Sequence, residues 1–180
     1  EFRRVLFRSG TEAKPFAIPF GEVDGQITER TRMVADVIES ASGFTADIRT
    51  DMDVWHKYHV ALLMPSLAPA LYAANTDRLR LANTPDAMLL AIRAIREGFQ
   101  VLQALGMPIT PGKLRMFTLL PEPILVAGLR KQLKSELMET AMVGHAEAAR
   151  DEIQYLADEF LALAKRADII VVTKGPRVLS

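Results

Sequence analysis

From Val60 to Ala74 the chain carries no charged side chain, and Pro65 and Pro69 interrupt the run. The stretch is shorter than the ~20 apolar residues a membrane-spanning helix needs. It therefore has to be buried among other protein segments, as a core helix kinked where Pro65 removes a backbone donor. No membrane partner is expected. Glu1–Ser9 (EFRRVLFRS) holds three arginines but no uninterrupted apolar stretch and no small-residue cleavage site, so it does not read as a secretory leader. It resembles a translated sequencing-library adapter, and residues 1–9 are set aside on that ground. The native start of the protein is then expected upstream of Gly10.

The hydrophobic pattern changes character at Thr50. Before it, Phe16 to Val23 reads as a strand ending at the turn pair Asp24-Gly25. Thr28 is placed to cap a helix in which Met33, Val34, Val37 and Ile38 share one face. Ser42-Gly43 stops that helix, and Phe44 to Ile48 reads as a second strand. A strand–helix–strand piece is too small to stand alone, so residues 10–49 are read as the remnant of a larger α/β domain, exposing a sheet edge and an apolar face.

After Thr50 the pattern is helical throughout. Thr50 or Asp51 starts a helix through Trp55, Lys57 and Val60. Thr84-Pro85-Asp86 starts another, with Thr84 as cap and Pro85 at the first helical position. In it Met88, Ile92, Ile95, Phe99 and Leu102 keep core spacing up to a stop at Gly106. Thr110-Pro111 repeats the start signal for a shorter helix. Helices over 124–137 and 146–167 follow, the last with Ile153, Leu156, Phe160 and Leu163 inward. Residues 50–167 thus form a helical domain, and 168–180 a tail or short strand. The expected fold class is mainly α, preceded by an α/β remnant.

Composition excludes several functions. Lys+Arg and Asp+Glu both number 22, which leaves no basic excess for a nucleic-acid partner. Zero net charge also favours self-association, with a homodimer as its simplest form. Cys is absent, so there is no disulfide framework, cysteine nucleophile or thiolate metal site, and a cytoplasmic location is expected. No GxGxxG, Walker, GxSxG or HExxH pattern occurs. His56, His59 and His145 lack the spacing of a metal set and read as solvated or core-edge histidines. Lys57, beside an apolar run, reads first as a snorkelling surface lysine. Glu152, on a helix flank, reads first as a solvated carboxylate. Were the two helices packed, Lys57 and Glu152 could face one cleft. A positioned ammonium there would give its proton to a developing alkoxide.

The ordered set Gly21-Glu22-Val23-Asp24-Gly25, DMDVWHK (Asp51–Lys57) and ARDEIQY (Ala149–Tyr155) resembles the ketopantoate reductase family, over residues 15 to 167. The resemblance implies an NADP-dependent enzyme of two domains. A Rossmann domain holds the cofactor. A helical domain similar to the C-terminal domain of 6-phosphogluconate dehydrogenase closes over it. Hydride passes to the keto carbon of 2-dehydropantoate or a related 2-keto acid, on the way to pantothenate. Lys57 matches the family's proton-donating lysine. Glu152 matches the glutamate that holds cofactor and lysine, Thr140 a substrate-contacting serine, and Asn75 a substrate asparagine. The phosphate-cradling glycine turn belongs to the part upstream, so this fragment alone is expected to be inactive.

Two positions depart from the family pattern. Ala61 and Pro65 stand where it places asparagines, four and eight residues after the lysine. Loss of both amides would shift the substrate away from ketopantoate. It also leaves room for an alternative, a non-catalytic helical module serving dimerisation or small-ligand binding.

Overall fold

The computed structural model describes residues 15–169, apart from the side chains of Pro65, Leu137, Thr140 and Ala141. The chain divides after Asp53 into two compact units. The fold is mainly helical, with a small two-stranded parallel sheet near the N-terminus.

In the first unit, β1 (Phe16–Phe20) and β2 (Phe44–Ile48) pair in parallel, Phe16 opposite Phe44 and Phe20 opposite Ile48. Helix α1 (Glu29–Ser40) connects them and packs on β2. Thr28 caps α1 through a reciprocal box with Thr31: each hydroxyl accepts from the other residue's backbone N–H. Gly21 follows β1 directly, and a Cβ there would overlap the Arg49 carbonyl oxygen, so only glycine allows this approach.

Expected inward residues of α1 lie outside. Its buried positions are Thr31 and Ala35, whereas Met33 is 61% exposed and Val37 66%. Phe16, at the start of β1, is 52% exposed. A two-stranded parallel sheet is uncommon without covering on both faces, and this one presents an uncovered apolar helix face.

The second unit is helical. Helix α2 (Met52–Leu62) passes into one wide π-type turn, Leu63–Leu67, and then into α3 (Ala68–Ala73). Pro65 lies inside the wide turn. Having no N–H to offer, it cannot continue the regular ladder, and the local widening absorbs the defect without ending the helix. The Ser66 hydroxyl donates to the Leu62 carbonyl at 2.6 Å. After α4 (Arg78–Ala82), α5 (Pro85–Ala104) runs through the core. Met88, Ile92, Ile95, Phe99 and Leu102 are all fully buried, as their spacing predicts. Thr84 occupies the cap position of α5 but makes no capping bond; its hydroxyl instead donates to the Arg80 carbonyl at 2.9 Å. The helix ends in a Schellman motif: Met107 N–H bonds the Leu102 carbonyl, and Gly106 N–H that of Gln103, with Gly106 at φ 78°.

Beyond it the helices are shorter than the sequence suggests. Thr110-Pro111 leads into a 3-10 turn, Gly112–Arg115, and α6 (Met116–Leu119). Helix α7 spans Glu122–Leu133, stopping before the expected Leu137. Then come α8 (Glu136–Met138), a second wide turn Glu139–Val143, α9 (Gly144–Ala148) and α10 (Arg150–Arg166). The expected continuous helix over 146–167 is broken at Ala149, which leaves the helical region at φ −126°, ψ 39°. The expected strand or tail after Asp168 lies outside the described residues from Ile170 onward.

Two apolar clusters fill the helical unit. One joins Tyr58 and Ala61 of α2 to Ile92, Ile95 and Phe99 of α5 and to Phe160 and Ala164 of α10. The other joins Met64, Ala68 and Leu71 to Met88, Leu133, Ala146 and Ile153. Helix α10 therefore runs antiparallel to the α2–α3 line. At the tightest point Ala61 is fully buried, and its Cβ would sit 3.3 Å from a Cβ placed on Gly98, with the Phe160 ring at 3.5 Å.

Two measurements check this reading. Phe160→Ala should cost about 3–5 kcal/mol in urea unfolding, while Tyr155→Ala, on the exposed face of the same helix, should stay within about 0.5 kcal/mol. In the first unit the Glu22 carboxylate accepts from Arg30, Thr28 and Thr31, Arg30 contributing most, which holds its pKa at about 2 against an ordinary 4.5. Its stabilisation is complete above 4.5 and is lost as pH falls through 2. Carboxyl NMR should show that low midpoint, and Arg30→Ala should raise it towards 4.5.

Candidate functional site

Helix α2 carries a dense set of polar and aromatic groups in its first turns. Trp55 and His59, one turn apart, stack in parallel with ring centroids 5.2 Å apart and planes 6° from coplanar. His56 meets the same indole edge-on at 5.4 Å. Desolvation, and secondarily the neighbouring His56 charge, pushes the His59 imidazole below its ordinary 6.5. Lys57 is half-buried. Tyr58 points into the core, where burial raises its pKa to about 12 and its hydroxyl donates to the Met107 carbonyl at 2.9 Å.

Glu152 lies exposed in the first turn of α10, beside Asp151. Carboxylates suit a helix N-terminus because the helix dipole favours negative charge there, which gives a glutamate at 152 a structural reason of its own. It precedes Phe160, the residue that packs near Ala61, by about 12 Å of helix axis. Glu152 therefore belongs with Ile153 at the end of the unit where α10 meets Met64, Ala68 and Leu71. Lys57 belongs with Tyr58 at the other end. Asn75 sits near Glu152's end, in the turn after α3: it is exposed, adopts φ 61°, and its N–H bonds the Tyr72 carbonyl. Its neighbour Thr76 donates to Glu147 at 3.2 Å. Thr140 falls in the wide turn Glu139–Val143, and its side chain lies outside the described residues.

Two residues at this end escaped the sequence reading. Arg150 lies over the Tyr72 ring, 4.8 Å from its centroid, and the Tyr72 hydroxyl donates to the Ala146 carbonyl at 2.8 Å. The pairing joins α3 to α10, and no local pattern announces it. The Trp55–His59 stack was legible in principle, since two ring side chains at i, i+4 on a helix face each other.

The position four residues after Lys57 is a core position. Ala61 is enclosed by Gly98 and Phe160, so an amide there would be buried against apolar surface without an evident partner. The first turn of α1, where a phosphate would be expected to bind, faces the Glu22 carboxylate, which accepts from both Thr28 and Thr31 hydroxyls.

The helical unit holds a partly open cavity of about 510 Å3, with His59, Gln132 and His145 at its exposed rim. Its walls come from the end of α2, the wide turn after it, α3, α6, α7 and the segment 138–153. Among the described residues, His59, Gln132 and His145 are its polar lining groups; neither Lys57 nor Glu152 reaches it. No helix among the described residues is long and apolar enough to cross a membrane.

The His59 environment predicts a pH response. Trp55 emission should titrate with a midpoint below 6.5, and the protein should lose stability as pH falls from 6.5 through that midpoint, because the unfolded imidazole binds its proton first. His56→Ala should raise the midpoint, and His59→Ala should abolish the transition.

Comparison of the chain with protein-family models, with curated proteins and with solved structures finds no match in any of the three.

Proposed function

We propose that this chain is the C-terminal portion of a ketopantoate reductase-like oxidoreductase, reducing a 2-keto acid to the 2-hydroxy acid. The observation that carries the reading is the uncovered α1 face, Met33, Val34 and Val37, on a parallel strand–helix–strand unit. An α/β layer with that face open is what remains when further strands and helices of a Rossmann-type sheet are taken away. The helical unit that follows in sequence begins with the helix bearing Lys57, as in the family that DMDVWHK and ARDEIQY resemble.

In this reading the main cofactor site lies in the Rossmann-type domain, and Glu152 is the residue of the helical unit assigned to the cofactor. Lys57 supplies the proton. Reduction of a keto group places negative charge on its oxygen, and an ammonium within hydrogen-bond reach both stabilises that charge and transfers a proton to it. Glu152 and Asn75, at the other end of the α2–α10 pair, act on cofactor or substrate separately from Lys57. Because Ala61 closes one of the two family amide positions, the expected substrate is a 2-keto acid other than ketopantoate. The protein is expected to work in the cytoplasm, as a homodimer.

A second reading is favoured by the same Ala61 packing: a helical module that keeps the fold and has lost the chemistry. One experiment separates them. With the upstream reading frame restored, NADPH oxidation is followed against a panel of 2-keto acids. Lys57→Ala should lower kcat by roughly 10²–10⁴ with little change in KM. An unchanged rate removes Lys57 from the chemistry, and inactivity of the restored wild type on every acid favours the module.

A further inference from the structure

The 510 Å3 cavity falls within the range, roughly 300–1,000 Å3, of sites that hold small organic ligands. We infer that it is a binding site for a compact, neutral, largely apolar molecule. Its walls are aliphatic and thioether groups, among them Leu63, Leu67, Leu129 and Met142. Among the described lining residues none is Lys, Arg, Asp or Glu. A charged ligand would lose its hydration there without gaining a counter-charge, whereas a hydrocarbon body loses nothing. The polar lining groups suit a single hydroxyl or carbonyl. Desolvation lowers the His59 pKa and so favours the neutral imidazole, which offers one donor and one acceptor, and Gln132 and His145 offer further hydrogen bonds. Methionines at four lining positions, 64, 116, 138 and 142, allow the walls to adapt to shape.

The site is separate from the reductase chemistry. Lys57 and His59 are two residues apart on one helix and so point about 160° from each other. A neutral ligand also differs in kind from a 2-keto acid, which is an anion.

The chain carries its own reporter. Trp55, the one tryptophan in the sequence, stacks on the lining residue His59. A second handle is Gly128, on the α7 wall, where an added Cβ meets nothing within 4 Å. Gly128→Leu fills open space and replaces glycine by a better helix former, so the variant should fold.

The test titrates the 180-residue chain with 1-octanol and with octanoate, following Trp55 emission and the methionine methyl NMR signals. Octanol should shift both saturably, at a midpoint at least about ten-fold below that of octanoate. Gly128→Leu, shown folded by circular dichroism, should weaken octanol at least about ten-fold. An equal or stronger response to octanoate overturns the ligand class, and unchanged octanol binding by Gly128→Leu overturns the location. Absence of a saturable shift in both signals overturns the site itself, as does mass doubling in sedimentation that closes the cavity to octanol. None of these readouts needs a cofactor or turnover, so the reductase reading can fail without touching this result.

Discussion

The helical unit depends on one close approach. Ala61 of α2, Gly98 of α5 and Phe160 of α10 meet where the first two residues have almost no side chain and the third fills the remaining space. Two small residues let the helix backbones come near enough for a single aromatic ring to seal the contact, at the density that protein interiors reach. The approach fixes the register of α10 against α2. That register decides which residues share an end of the unit: Tyr58 and Lys57 at one, Ile153, Glu152 and Asn75 at the other. It also makes position 61 part of the core.

What could be read in advance follows from how local each signal is. The spacing from Met88 to Leu102 marks one helical face, and all five residues are fully buried. Thr28 caps α1 because its partner Thr31 is three residues away. Pro65 disturbs the helix where its missing N–H requires. The break at Ala149 had no such marker, since it follows Ala146-Glu147-Ala148 with neither Gly nor Pro within four residues. There, Tyr72 touches both sides of the break, its hydroxyl donating to the Ala146 carbonyl and its ring lying under Arg150. The apolar face of α1 shows the opposite limit. Its periodicity was plain, but periodicity gives a face and not what covers it.

The candidate site was legible as residues and not as an arrangement. Lys57 and Glu152 are each visible by type and by their place in a motif. Whether they meet depends on the sliding register between two helices nearly a hundred residues apart in sequence, and no pattern in a single chain records that register. The half-buried lysine and the exposed carboxylate also differ in setting, and Glu152 has a sufficient reason to be there in the dipole of its own helix. The cavity was less legible still. Its walls come from segments scattered between His59 and Ile153, and each lining residue looks like ordinary core.

The charge distribution separates two possible tasks. A 2-keto acid brings a carboxylate and needs a cation or a set of aligned donors. In the proposed reading, Lys57 supplies the cation on one side of α2. The cavity on the other side presents, among its described lining, imidazole, amide, aliphatic and thioether groups and no full charge. Neither place suits the other's ligand, because burying an unpaired anion costs several kcal/mol, and an ammonium gives an apolar molecule no affinity. If both sites work, they must work on different molecules. Coupling between them would then run through α2, whose Trp55 and His59 lie next to Lys57 and whose far end forms the cavity wall.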